Sequence, residues 1–140
     1  MFEKYHVYTK RELDSRYEVF LEDYHRRIHI EGEVALEIAT SMIYPAVAQE
    51  FAKLTAAAAA GKAAGLKNGV KALTDSAAEL GAKLDELKAK SDALRKALGG
   101  LHEEILTAMA DLRVVVDSIE KNVSDECWPL PKYREMLFVY

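Results

Sequence analysis

The sequence predicts an all-α protein, an elongated antiparallel helical bundle with a long kinked first helix and a coiled-coil-like helical hairpin. Apolar residues recur at steps of three and four along most of the chain, which is the period of one helix face. Half of the 140 residues are hydrophobic and 30% are charged, a composition typical of one folded domain. A helix over residues 10–44 alone would be about 52 Å long, against a radius of gyration of ~14 Å for a compact domain of this length. We therefore expect a rod.

The first helix is expected to follow an incoming linker, residues 1–9, which shows no periodicity. Thr9 and Glu12 have the spacing of a capping box, in which each side chain binds a free backbone amide of the first turn. An apolar stripe then continues along one face of the helix. It consists of Leu13, Tyr17, Phe20, Tyr24, Ile28, Ala35, Ile38 and Met42.

Pro45 interrupts this helix, because proline lacks a backbone donor and clashes with the preceding turn. Helical character continues beyond it, so we expect one helix over about residues 10–60 with a kink at residue 45. The following turn contains Asn68-Gly69, a strong turn signal. An alternative extends the helix to residue 67.

Two regular helices are predicted next, at 70–98 and 101–123, which complete a bundle over residues 10–123. Their apolar residues alternate between steps of three and four, the pattern of a coiled-coil seam. Because only Gly99-Gly100 separates the helices, they are predicted to form an antiparallel hairpin. The seam residues are Val70, Leu73, Ala77, Leu80, Leu84, Leu87, Ser91, Leu94 and Leu98 on the first helix, and His102, Ile105, Met109, Leu112, Val116, Ile119 and Val123 on the second.

Residues 124–140 form a C-terminal tail of different character, with two prolines and the only tryptophan. Its aromatic residues either cap the end of the bundle or dock on another subunit or domain, since aromatic side chains are frequent anchors of interfaces. The candidate interface residues are Trp128, Pro129, Pro131, Tyr133, Arg134 and Phe138.

One candidate metal site emerges from the titratable residues. Glu22, His25 and His29 share one helix face, and Glu-x-x-His is half of the motif found in bundles that bind two metal ions through carboxylates. The sequence holds no second copy of this motif, so a solvent-exposed helix face is the simpler interpretation. Cys127 has no histidine nearby in sequence, and no acid–base pair stands out. We predict no catalytic residue and no cofactor in this chain.

Charge and composition also restrict the partners. The formal net charge is −4, which gives no electrostatic reason to expect nucleic acid. No apolar stretch approaches the ~20 residues of a membrane span, and no secretory signal is present at the N-terminus. With a single cysteine in the chain, we expect a cytoplasmic protein that binds neither nucleic acid nor membranes.

Both ends of the chain resemble the C-terminal region of type III glutamine synthetases. The similar segments are residues 13–19, 21–22 and 28–31 near the start and residues 128–138 near the end, where the run W-P-L-P-K-Y-R-E is not imposed by helix periodicity. Ile43 and residues 45–47 also match the family's kinked long helix. The resemblance covers about half of the chain.

This resemblance implies a parent enzyme that makes glutamine from glutamate, ammonia and ATP, uses a divalent metal such as Mg²⁺, and assembles into large oligomers. The family's metal-binding glutamates lie on strands that are not predicted here, so no catalytic residue carries over. We expect a non-catalytic C-terminal helical domain that serves assembly, in contact with other subunits or with the catalytic region. The first alternative is a free-standing adaptor that binds a helical partner, and the second is a metal-binding helical bundle.

Overall fold

The computed structural model describes residues 7–137, without the side chains of Tyr133 and Arg134. This part of the chain contains helices and no strand, so the predicted all-α bundle is confirmed. The helical elements are α1 (Lys10–Glu37), a π-helical segment (Ile38–Ile43), α2 (Tyr44–Ala63), α3 (Val70–Ala97), α4 (His102–Glu120) and the short α5 (Tyr133–Met136).

Three long rods form the bundle. The first is the continuous helical stretch of α1, the π segment and α2; the others are α3 and α4. Helices α3 and α4 are antiparallel, since Lys83 donates to Asn122 at 2.7 Å and Lys90 to Asp111 at 2.7 Å. Helix α3 returns along α2 and α1 until Leu98 lies beside His29, with the carbonyl oxygen of Leu98 3.2 Å from His29 Nε2. Helix α4 therefore points in the same direction as the first rod.

The predicted seam supplies most of the core between these rods. Leu80, Leu87, Leu94 and Ile119 are almost completely buried, as alternating steps of three and four require of one helix face. Ser91 is also buried, and its hydroxyl donates to the Leu87 carbonyl oxygen at 2.7 Å. The hydroxyl therefore carries no desolvation cost of an unpaired polar group.

The irregularity of the first rod lies at Ile38–Ile43, ahead of the kink expected at Pro45. In this π segment the Tyr44 amide donates to the Ala39 carbonyl oxygen, five residues back. Pro45 then falls in the first turn of α2, where a missing backbone N–H is tolerated. The extra residue of a π turn thus spares the rod the clash that proline causes within a regular helix.

The predicted capping box is confirmed at the start of α1. Glu12 N–H donates to the Thr9 hydroxyl, and Thr9 N–H donates to the Glu12 carboxylate. Helix α2 ends at Ala63, between the two expected limits of residues 60 and 67. Gly65 and Gly69 follow at φ +72° and +85°, where an L side chain is strained.

In the described part of the chain, no helix is both long enough and apolar enough to cross a membrane.

Candidate interaction surface

Helix α1 extends beyond the rest of the bundle. The bundle ends at the α3–α4 turn, which lies beside His25 and His29, and Ile28 is the first buried residue of α1. At 1.5 Å per residue, residues 10–24 extend about 22 Å past this point. We call residues 10–24 the projecting segment.

Aromatic side chains of the projecting segment are exposed to solvent. Tyr17, Phe20 and Tyr24 are 67%, 69% and 46% exposed, and Leu21 is 39% exposed. Steps of three and four place these four residues on one side of α1; we call this side the aromatic face. An apolar stripe at helical spacing is typical of a helix face that packs against a core, yet these side chains of the projecting segment are exposed. The reason is that α4 starts at His102. The ring of His102 lies edge-on to that of Tyr24, with centroids 6.0 Å apart, and Tyr17 and Phe20 lie farther from the hairpin.

The aromatic face is continuous with the internal packing surface of α1. Farther along the same side lie Ile28 and Gly32, both buried. Gly32 packs so tightly that a Cβ atom there would lie 2.8 Å from Ile105 Cγ2 and 2.9 Å from Leu98 Cδ2. One side of α1 is therefore packed against the hairpin from Ile28 onward, whereas Tyr17 and Phe20 on the same side are exposed.

Charges around the aromatic face balance. Residues 10–27 include five basic and five acidic side chains, and some pair within the helix, such as Arg27 with Asp23 at 2.9 Å. A surface without one dominant sign of charge neither attracts nor repels a charged partner over a long distance. Recognition by this surface would therefore depend on its apolar side chains.

The candidate metal ligands lie at the base of the projecting segment. The rings of His25 and His102 stack with centroids 4.2 Å apart, and His29 lies beside the Leu98 carbonyl group. These three histidines line a cleft of about 210 Å³ at the α3–α4 turn, while Glu22 is exposed. Across residues 7–137, no set of three His, Cys, Asp or Glu side chains is arranged to hold a metal ion.

His102 is the neighbour of His25 that sequence spacing does not identify. The two residues are 77 positions apart, and only the register of the hairpin against α1 brings them together. The sequence does place His102 at the start of α4, and therefore near one end of the bundle. In the structure, α1 passes the α3–α4 turn at this end, beside His102.

The tail packs against the bundle at the level where α4 ends, and α2 and α3 continue beyond this level to the turn between them. Trp128 is 8% exposed and Cys127 is 9% exposed, both within the hydrophobic core cluster. Lys53 of α2 donates to Cys127 Sγ at 3.2 Å, and this hydrogen bond raises the pKa of Lys53, with a smaller contribution from Glu126. Lys132 donates to the Val123 carbonyl oxygen at 3.0 Å.

Trp128 is therefore part of the core of this chain, and its role as an interface residue stays a prediction. The other interface candidates have separate placements. Pro129 and Pro131 are exposed; the side chains of Tyr133 and Arg134, and all of Phe138, lie outside the described part of the structure.

The sequence of this chain is similar to sequences of known proteins. A family model described as the glutamine synthetase C-terminal domain matches residues 1–62. The chain resembles the C-terminal region of glutamine synthetases. A glutamine synthetase of Butyrivibrio fibrisolvens is 31% identical over 151 residues, which cover 99% of this chain and 22% of that protein. A type-3 glutamine synthetase of Dictyostelium discoideum is 24% identical over 156 residues, covering 99% of this chain and 21% of the relative.

The resemblance expected from the two ends of the chain is confirmed by these comparisons. The chain spans about a fifth of the length of both relatives. The family model covers all of α1, the π segment and most of α2, and so includes the whole projecting segment. No solved structure matches the chain.

Proposed function

We propose that this chain is the non-catalytic C-terminal helical domain of a type III glutamine synthetase and that it serves assembly of the parent enzyme. The observation that carries the proposal is the match of residues 1–62 to a glutamine synthetase C-terminal domain. The alignment of 99% of the chain with two glutamine synthetases supports it. Under this proposal, the domain contacts the catalytic region or other subunits.

The shape of the chain supports an assembly role. A helical rod with an uncovered aromatic face offers contact area, since large apolar patches on a surface often mark sites of protein association. In the parent enzyme, ATP and a divalent metal such as Mg²⁺ would bind outside this chain. Such an enzyme would act in the cytoplasm, in keeping with the free thiol of Cys127.

The catalytic part of the proposal is tested by comparing the 140-residue chain with the whole polypeptide of its natural reading frame. We expect the whole polypeptide to release ADP from ATP only when glutamate and ammonia are both present, and the 140-residue chain to release none. Turnover by the 140-residue chain would contradict a non-catalytic domain. A whole polypeptide without glutamate-dependent turnover would contradict the parent activity.

The assembly part is tested by chemical cross-linking of the whole polypeptide, followed by mass spectrometry. Lysines on the projecting segment and on α2, Lys10 and Lys53, should form cross-links to the catalytic region or to other subunits. Lys90, which pairs with Asp111 across the α3–α4 hairpin, provides an internal reference for cross-links within the bundle. If every cross-link stays within the bundle, the assembly role is wrong.

A free-standing helical adaptor is the second candidate, because the aromatic face also suits a partner helix. The reading frame upstream of Met1 distinguishes the two. A frame that continues for several hundred codons with strand-rich, glutamate-bearing segments supports the ligase domain, whereas a stop codon immediately upstream supports the adaptor.

A further inference from the structure

Within residues 7–137, the aromatic face is largely uncovered: Tyr17 and Phe20 are exposed, and Tyr24 meets the hairpin at the ring of His102. It lies on the same side of α1 as Ile28 and Gly32, which the α3–α4 hairpin buries. Most helical stability in proteins comes from packing of an apolar face, yet Tyr17 and Phe20 are each more than 60% exposed. A partner that continues the role of the hairpin along the first half of α1 would remove these rings from water.

The balanced charge of residues 10–27 restricts the chemistry of that partner. The projecting segment itself, residues 10–24, carries three basic and five acidic side chains, so it presents no basic patch for nucleic acid or for an anionic membrane. The aromatic face instead fits an apolar protein groove that accepts rings at helical spacing. The occupant is therefore a protein surface.

The size of the aromatic face favours a covalently linked occupant over a second copy of this chain. A stripe about 22 Å long on one helix offers only a few hundred Å² on each side, whereas stable association of separate proteins needs roughly 1,200 Å² or more in total. Contacts between domains of one chain persist at about 600 Å², because linkage gives an effective concentration in the millimolar range.

The relatives supply such a linked occupant. About a fifth of each aligns with this chain, and the rest of each polypeptide lies outside the aligned region. The family match includes the projecting segment, although the segment contributes nothing to the core of the bundle. A role outside the bundle accounts for both observations.

We propose that the aromatic face of the projecting segment docks into an apolar groove on the remainder of the same glutamine synthetase polypeptide. This inference rests on the proposed function and adds to it the surface and the occupant. Tyr17 and Tyr24 are the anchors of the contact, and Phe20 and Leu21 lie between them, so both anchors remain when Phe20 is replaced.

The test measures the accessibility of one position on the aromatic face, in a background with Cys127→Ser. Phe20→Cys is compared with Val114→Cys on α4, because the two native side chains are 69% and 70% exposed. Both variants are labelled with a maleimide in the 140-residue chain and in the whole polypeptide. We expect labelling of Phe20→Cys to slow at least about tenfold in the whole polypeptide and that of Val114→Cys to change less than about twofold, since protection of a docked site follows its opening equilibrium.

Equal labelling of Phe20→Cys in both forms would overturn the docking proposal. Equal slowing of both variants would also overturn it, because the protection would then come from general shielding by the assembly. Sedimentation of the 140-residue chain tests the other possible occupant of the aromatic face, a second copy of this chain. A mass that rises with concentration, and stops rising on Phe20→Ser, would assign the aromatic face to a second copy of this chain.

Ligase activity separates this inference from the proposed function. If the whole polypeptide makes glutamine while Phe20→Cys remains accessible, only the docking proposal fails. If Phe20→Cys is protected but the whole polypeptide lacks ligase activity, the proposed function fails and the docking surface stands as one of a different protein. Circular dichroism of each variant confirms its helical fold, which replacement of an exposed side chain should leave intact.

Discussion

Glu12 stabilises the start of α1 by accepting hydrogen bonds from Thr9, at 2.7 Å from the backbone N–H and 2.8 Å from the hydroxyl. The backbone bond is the larger cause of a pKa for Glu12 below its ordinary value of 4.5. A carboxyl group with a lowered folded-state pKa stabilises the fold above its unfolded pKa, and this contribution is lost as the pH falls through the folded pKa. We therefore expect the first turn of α1 to fray as the pH falls through the lowered pKa of Glu12, which lies below the ordinary value of 4.5. The amide proton shift of Thr9 would report this fraying by NMR.

Glu12→Gln provides the matched control, because glutamine keeps an acceptor oxygen and does not ionise in this range. The Thr9 amide should lose its acid titration in this variant. A Thr9 titration that is the same in both proteins would assign it to another group, and the stated role of Glu12 would be wrong.

Single residues could be predicted from the sequence where their partners are close in the chain. Thr9 and Glu12 are three positions apart, so a spacing rule sufficed. His25 and His102 stack at 4.2 Å, but this contact depends on the register of the hairpin against α1, which no local spacing specifies. The same holds for the core position of Trp128, which depends on how the tail turns after α4.

At the level of helices, periodicity predicted the seam and not the π segment. Proline indicates a break at or before its own position, but the sequence does not show which change in helix geometry accommodates the proline. In the structure, the extra residue of Ile38–Ile43 places Pro45 in the first turn of α2. The hydroxyl of Ser41 donates to the Glu37 carbonyl oxygen at 2.6 Å, which satisfies an acceptor in the altered hydrogen-bond ladder.

The seam of α3 can be tested with two leucines three positions apart. Leu87 is completely buried, whereas Leu84 is only half-buried against the core cluster. We expect Leu87→Ala to lower the free energy of unfolding by about 2–5 kcal/mol and Leu84→Ala to lower it by less. Urea unfolding followed by circular dichroism measures both. A loss for Leu84→Ala equal to or greater than that for Leu87→Ala would contradict the orientation of α3 in the bundle.

For the whole molecule, the fold class followed from the sequence but the reach of each helix did not. Tyr17, Phe20 and Ile28 belong to one stripe at helical spacing, and spacing alone treats them alike. Burial depends on which neighbour is present, and α4, with 19 residues, is shorter than α1, with 28. The hairpin therefore covers Ile28 and leaves Tyr17 and Phe20 exposed. The existence of the projecting segment thus depends on how the helices are arranged in the bundle, which the sequence of α1 alone does not determine.

The tail is expected to stabilise the whole bundle, because Trp128 belongs to the same core cluster as the seam residues. Replacing a buried aromatic side chain by alanine removes apolar contacts and leaves a cavity, so Trp128→Ala should cost about 3–5 kcal/mol. Leu137→Ala is the control in the same tail, since Leu137 is 62% exposed and exposed substitutions usually change stability by less than about 0.5 kcal/mol.

Thermal unfolding followed by helical circular dichroism distinguishes the two variants. For a domain of this size each kcal/mol shifts the melting temperature by several degrees, so Trp128→Ala should lower it by roughly 10 °C or more while Leu137→Ala leaves it nearly unchanged. A single cooperative transition at the lower temperature would show that the tail and the helices unfold as one unit. An unchanged melting temperature for Trp128→Ala would show that Trp128 does not stabilise the bundle and would leave it among the interface candidates, beside Pro129 and Pro131.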